Sequence, residues 1–308
     1  METRQLESFL AVAEERSFTR AAERLHVVQS AVSASIKALE GELGVPLFTR
    51  NSRSVTLTAE GAGLVPAARR AIAALDEAKD VVAGFRGTVR GRVAFGLLAA
   101  PDFLEIPQML RRFRDSHPEV SVLARTSPTG ASGLVSGLLD ESLDLSLVVL
   151  PLPAHPDIEF EELLGDDYVF AAATDHALAG RASIDPSELD SHGLVTMLRG
   201  FSLRGVLDEQ LARWGVRPEV RIEVSDVATM TRCIAAGLGV GLIPRYVVDA
   251  VPAIVRLEVG PLETRWAAAL ATKRGRHRSA AAAALIDLIR AEVPLAETRM
   301  RSPSVPLS

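Results

Sequence analysis

The sequence predicts an α/β protein in which a small helical head is joined by a long helix to a larger strand–helix module. Three observations carry this. "FTRAAERLHVVQSAVSASIKALE", Phe18 to Glu40, reads as two short amphipathic helices joined by a tight turn. From Leu64 to Phe85, apolar residues recur at a 4-3-4-3-4-3 spacing. From Gly91 onward, short apolar runs alternate with helical patterns, as in a parallel sheet covered by helices on both sides. With 308 residues, 48% hydrophobic and 24% charged, the chain has material for about two packed domains.

Taken in order, Leu6, Phe9, Leu10 and Ala13 mark one face of a first helix over residues 4–16. Thr19 stands where a side-chain oxygen would cap a second helix carrying Ala21, Ala22 and Leu25 and ending near His26-Val27. A third helix runs from about Gln29 to Gly41, with Val32, Ile36 and Leu39 inward and glycine closing it. "PLFTRNSRSVTLT" reads as a short β-ribbon with Arg50 and Arg53 in or beside it. The connecting helix starts at Thr58, Pro66 should bend or delay it, and its seam is Leu64, Ala68, Ala71, Leu75, Ala78, Val82 and Phe85. Such a seam either packs on its own domain or pairs with a second chain, and its regularity favours pairing. "GFRGTVRG" is the boundary. Strands "RVAFGLL", "SVLARTS", "DLSLVVL", "YVFAAAT", "GLVTML", "VRIEVS", "VGLIP" and "WAAALAT" then interleave with helices, and the tail after Pro294 reads as disordered.

The net charge of −5 excludes a polycation, so a nucleic-acid site must be local. Residues 16–58 do hold 6 Lys/Arg against 3 Asp/Glu. The single cysteine, Cys233, excludes an intrachain disulfide, and in its apolar helix it reads as structural rather than redox-sensing. The N-terminus has no apolar signal core and no run is long enough to span a bilayer, so the expected location is the cytoplasm. Six scattered histidines lack metal-ligand spacing, and no nucleophile elbow, phosphate loop or catalytic carboxylate pair is visible, so neither an enzyme nor a cofactor is expected. The adjacent pairs Glu161-Glu162 and Asp166-Asp167 read as a solvated face. Two helices and a turn are also the commonest unit of any helical bundle, so the pattern alone leaves DNA binding open.

"LESFLAVAEERSFTRAAERLHVVQSAVSASIKALEGELGVPLFTRNSRSVTLTAEG" resembles, almost continuously, the winged helix-turn-helix of LysR-type transcriptional regulators. Further on, "LLDESLDLSLV", "DHALAGRASIDPSELDSHGLVTM" and "AAGLGVGLIP" are similar to that family's effector domain, so the resemblance covers residues 1 to about 292. It implies a DNA-binding head over 1–58, a dimerisation helix over 59–88, and two periplasmic-binding-protein-like α/β subdomains, 91–162 with 268–293 and 163–267. It also implies homodimers or homotetramers on an inverted-repeat site in double-stranded DNA, RNA polymerase as a further partner, and a small-molecule effector in the cleft. DNA contacts are then expected from Thr19, Arg20, Gln29, Ser30, Ser33 and Lys37, with Arg50 and Arg53 from the wing. Effector contacts are expected from Ala99, Ala100, Thr126, Ser127, Arg199, Phe201, Ser202 and Ser225.

The chain departs from the family pattern at the recognition helix. Val28 stands where Ser or Thr usually caps it, Ser30 where Pro is common, and Ala34 where Arg is common. In the effector cleft, Ala99 and Ala100 replace the hydroxyl residues of many carboxylate-binding relatives, which leaves Arg199 as the best partner for an anion. Two other readings stay open: a solute-binding protein or enzyme on the same α/β fold, and a regulator without small-molecule control.

Overall fold

The computed structural model describes residues 1–50, 55–84, 89–97, 104–262 and 264–301. The chain folds as two compact units, Met1–Gly91 with Asp140–Ser142, and the remainder.

In the first unit, α1 (Thr3–Glu15), α2 (Phe18–Arg24) and α3 (Gln29–Leu43) precede a two-stranded antiparallel ribbon, β1 (Phe48–Arg50) and β2 (Val55–Leu57), and then α4 (Ala59–Gly84). The expected apolar faces form one core: Leu6, Phe9, Ala21, Ala22, Val32, Ile36 and Leu39 are all buried. Phe48 carries that core into the ribbon, its ring centroid 5.5 Å from Phe9 and 6.0 Å from Phe18. The caps differ from expectation. Ser17, not Thr19, caps α2 by accepting from the Arg20 N–H. Gly44, not Gly41, closes α3 at φ 72°. Within α3, the Glu40 carboxylate accepts from the backbone N–H groups of Leu47 (2.9 Å) and Phe48 (3.3 Å).

Pro66 does not delay α4, which begins seven residues earlier at Ala59. Thr58 provides the start: its hydroxyl accepts from the Gly61 N–H (3.0 Å) and donates to the Pro46 carbonyl (2.8 Å). Proline in the interior of a helix forfeits one ladder bond, and packing of Leu64, Val65, Ala68, Ala71 and Ile72 on the head core offsets it.

In the second unit, β3 (Gly91–Leu97), β4 (Val120–Thr126) and β5 (Leu145–Leu150) alternate with α5 (Ile106–Ser116) and α6 (Gly130–Leu139). A long strand, β6 (Ile158–Ala173), follows. Next come a 3₁₀ turn (Pro186–Ser191), β7 (Leu194–Met197), α7 (Ser202–Trp214), β8 (Val220–Val224), α8 (Val227–Ala235), β9 (Gly241–Pro244) and α9 (Arg245–Ala250). The chain ends in β10 (Ile254–Leu257), β11 (Arg265–Lys273) and α10 (Ala280–Arg301). The strand order is β10-β6-β11-β5-β3-β4, with β9 also on β6. β7 and β8 are parallel neighbours, and a bridge from Leu194 to Val240 ties them to the β9 end.

The expected parallel sheet is in fact mixed. β3 and β5 run parallel, but β11 lies antiparallel to both β5 and β6 because it returns from the far half of the unit. Four of the nine residues of β11 are alanine ("RWAAALATK") and Trp266 to Thr272 are all buried, as suits a strand between close neighbours. β5 is buried on both faces as its continuous apolar run predicts, and its one polar residue, Ser146, donates to the Gly96 carbonyl. Of the acidic pairs, Glu161, Glu162 and Asp167 are exposed as expected, Glu161 meeting Arg290 (2.7 Å), while the largely covered Asp166 pairs with Arg245. The tail prediction also fails at its start. α10 runs through Pro294 to Arg301, held by the fully buried Ala296, while residues 302–308 lie outside the described ones.

A methyl on Gly61 would sit 2.2 Å from the Leu47 carbonyl oxygen, so the ribbon seats on α4 only where that residue has no side chain. Gly61→Ala is expected to lower the head's stability by about 1–3 kcal/mol, the usual range for overpacking, as measured by urea unfolding.

Candidate functional site

The solvent face of α3 carries Ser30, Ala34, Lys37, Ala38 and Gly41, all exposed. Gln29, also exposed, donates from Nε2 to the Ser33 hydroxyl at 3.1 Å, which fixes its amide one turn from the helix start. Val28 accepts no backbone hydrogen bond with its side chain, so the first turn of α3 is uncapped. Thr19 is exposed on α2. Arg20 is drawn back onto α1, its guanidinium donating to the Glu15 carbonyl, with the Glu15 carboxylate 3.6 Å away. Arg50 closes β1 without a described side chain, and Arg53 lies outside the described residues. Lys37 is the only basic residue in α3.

A paired carboxylate holds this scaffold from behind. Glu14 of α1 meets Arg24 of α2 at 2.6 Å and Arg69 of α4 at 3.0 Å. Burial pushes the Glu14 carboxyl up, but the hydrogen bonds and charges of Arg24 and Arg69 outweigh it and hold the carboxyl below its usual range.

Of the expected seam on α4, Ala68 is buried in the head's own core (1% exposed), and Leu64 and Ala71 are half-buried against it. Leu75 and Ala78 are exposed. The Val82 side chain and Phe85 lie outside the described residues.

In the second unit, the segments expected to meet an effector sit at helix starts. Thr126, Ser127 and Pro128 lead into α6, Arg199 to Phe201 into α7, and Ser225 into α8. Ala99 and Ala100 lie outside the described residues. The α6 and α7 segments meet. Gly130, at φ 62°, faces Phe201 so closely that a methyl there would lie 3.1 Å from the ring. Gly200, at φ 96°, stands against the Thr129 carbonyl. Ser127 is occupied locally, 3.2 Å from the Thr129 hydroxyl, while Thr126 and Arg199 are exposed. Ser202 shares a hydrogen bond with the buried Tyr168 of β6, whose hydroxyl burial pushes well above the usual phenol range. At α8, Asp226 is itself the cap, accepting from the Thr229 N–H at 2.7 Å. That carboxylate sets Ser225 apart from any anion, whereas α7 has no side-chain cap and leaves its first amides open.

The order of these parts has a match across the whole chain. A family model for the bacterial regulatory helix-turn-helix protein, lysR family, matches residues 3–62, and one for the LysR substrate binding domain matches residues 86–294. This chain belongs to the LysR family of transcriptional regulators. The HTH-type transcriptional regulator ShiR of Corynebacterium glutamicum is 33% identical over 244 residues, 79% of this chain and 82% of that protein. The RuBisCO operon transcriptional regulator of Allochromatium vinosum is 27% identical over 300 residues, 96% and 98% of the two chains. Among solved structures, full-length CbnR complexed with its target DNA shares 25% identity and a TM-score of 0.60, covering 95% of this chain and 100% of that one.

For a LysR-family regulator, the geometry adds three residues that sequence reasoning passed over. Ser17 lies two residues before Thr19, the expected cap. Glu40 sat in the quoted motif without a role, though a carboxylate three residues before the helix end could have suggested a backbone clasp. Tyr168 was hidden at the head of an apolar run, where only its hydroxyl signalled a polar partner. Cys233, expected to be buried, is half-buried on α8. Among the described residues, no helix is long and apolar enough to cross a membrane, and no three His, Cys, Asp or Glu side chains are placed to hold a metal ion.

Because the folded-state pKa of Glu14 is depressed, its stabilisation is present above the ordinary value of 4.5 and is lost as pH falls through the folded value. Comparing urea midpoints of the wild type and Glu14→Gln between pH 7 and pH 3 should show a clear deficit in the variant at neutral pH. The deficit should shrink below pH 4.5.

Proposed function

We propose that this regulator sits as a homodimer or homotetramer on an inverted-repeat DNA site in the cytoplasm, where it controls transcription with RNA polymerase as a further partner. Neither an enzymatic step nor a resident cofactor is part of this reading. The observation that carries it is the exposed, uncapped and solvent-presented face of α3 in a head of LysR type. In an inverted repeat each half-site takes one α3 in the major groove, about one helical turn apart. Gln29 is suited to pair with adenine, and Lys37, with Arg50 and Arg53, to hold phosphate. A dimer doubles these few contacts. The distal half of α4, from Leu75, supplies the pairing surface, since the proximal half is spent on the head core.

The cleft lined by Thr126 to Gly130 and Arg199 to Ser202 takes a small anionic effector, with Arg199 as its counter-ion and the open amides of α7 beside it. Such an effector changes DNA binding only insofar as it favours one arrangement of subunits over another. The close packing of Phe201 on Gly130 supports one second reading, a closed cleft and control through oligomeric state alone.

Two measurements test this. Binding to the DNA upstream of its own gene, with random competitor across a salt series, should be specific and should weaken steeply with salt. Leu75→Glu should convert the oligomer to monomers by light scattering and lower DNA affinity at least tenfold, since each head would bind alone. In a thermal-shift screen of small carboxylates, a ligand that stabilises the wild type and not Arg199→Ala supports the anionic cleft. Shifts equal in both proteins count against Arg199, and none in either favours the closed cleft.

A further inference from the structure

Val28 is 69% exposed, the highest value of any large hydrophobic side chain among the described residues, and it stands at the tip of the helix that the proposed function puts into DNA. An isolated surface valine needs no explanation, but this one has two neighbours that matter. Gln29, the next residue, is pinned to Ser33 by one of its two amide hydrogens, which holds its amide one turn into α3 and leaves its oxygen and second hydrogen for a further partner. Behind them the solvent face of α3 is made of Ser30, Ala34, Ala38 and Gly41, all short, so nothing but Lys37 holds the helix away from a surface it approaches.

The chemistry of that tip is specific by what it contains and lacks. Guanine is most often read by arginine or lysine at its O6 and N7, and α3 has no arginine, with its lysine two turns from the tip. Adenine presents an N7 acceptor and an N6 donor, which an oriented glutamine amide matches. Thymine presents a C5 methyl group, the one apolar feature on the major-groove floor, and an exposed valine can bury it. Val28, which cannot cap α3, offers such an apolar surface at the helix tip.

We infer that Val28 is a specificity-determining residue that packs on a thymine methyl, so that each half-site carries an A·T pair beneath the N-terminal tip of α3. The inference rests on the reading of α3 as the DNA-entering helix. Ala34 and Ala38 act by their smallness, letting the tip reach the floor of the groove.

The test separates the inference from that reading. Duplexes would be selected from a randomised pool with the full-length protein, and each thymine of the enriched half-site replaced singly by deoxyuridine, which lacks only the methyl. Kd would then be measured for the wild type and for Val28→Ser, a variant whose serine can cap α3 and so is expected to fold. One deoxyuridine should weaken wild-type binding about fourfold, as for one lost buried methyl, and should leave Val28→Ser binding unchanged. If every deoxyuridine is neutral for the wild type, or if the loss is the same in both proteins, Val28 reads no methyl although the protein still reads DNA. If no sequence is enriched at all, sequence reading by α3 falls together with the inference.

Discussion

The second unit depends on one strand serving two neighbourhoods. β6 runs for sixteen residues, and its backbone groups find partners on β11 along the first part and on β9 and β10 along the last. A strand of that length cannot leave its buried amides and carbonyls unpaired, so both sets of neighbours are locked to a single rod. The rod fixes where Tyr168 stands, and Tyr168 in turn holds Ser202 at the start of α7. The meeting of Gly130 with Phe201 completes the same arrangement from the α6 side. The meeting of the α6 and α7 starts is thus a product of strand pairing first and of side-chain chemistry second.

The head obeys a comparable economy with different means. Its core is small, and its ribbon has only three residues per strand, too few to be stable alone. Glu40 from α3, Thr58 at the start of α4 and the ring of Phe48 each bind the ribbon to a helix. The helix proposed to enter DNA and the ribbon beside it are therefore parts of one body. A change at Gly61 or Glu40, far from any base, would be felt at the reading surface through that connection. Glu14 performs the same service on the opposite side, where two arginines from different helices converge on one carboxylate.

These clasps explain why the chain can depart from its family at the recognition helix. A missing cap costs roughly 1 kcal/mol, which a helix already tied to the wing by Glu40 and buried through Val32, Ile36 and Leu39 can absorb. Stability held elsewhere leaves the tip of α3 free to vary in sequence.

Much of this was legible in the residues themselves. Apolar spacing located α1, α3, α6, β5 and the final helix, because burial on one face or on both leaves a period that no neighbour can erase. The family resemblance, carried by the quoted motifs over residues 1 to about 292, was legible too, and family models match residues 3–62 and 86–294. What the sequence could not determine was anything settled by a partner distant along the chain. It placed the α2 cap at Thr19 rather than Ser17 and closed α3 at Gly41 rather than Gly44. It read β11 as one more parallel strand, ended order at Pro294, and left the α4 seam between its own domain and a second chain. In each case a local signal was sound but incomplete: proline and glycine mark where a helix can stop, and a heptad marks a face that wants cover. Whether the helix stops, and what covers the face, depends on contacts with the head core, the returning strand or a buried alanine, and only the tertiary structure supplies those.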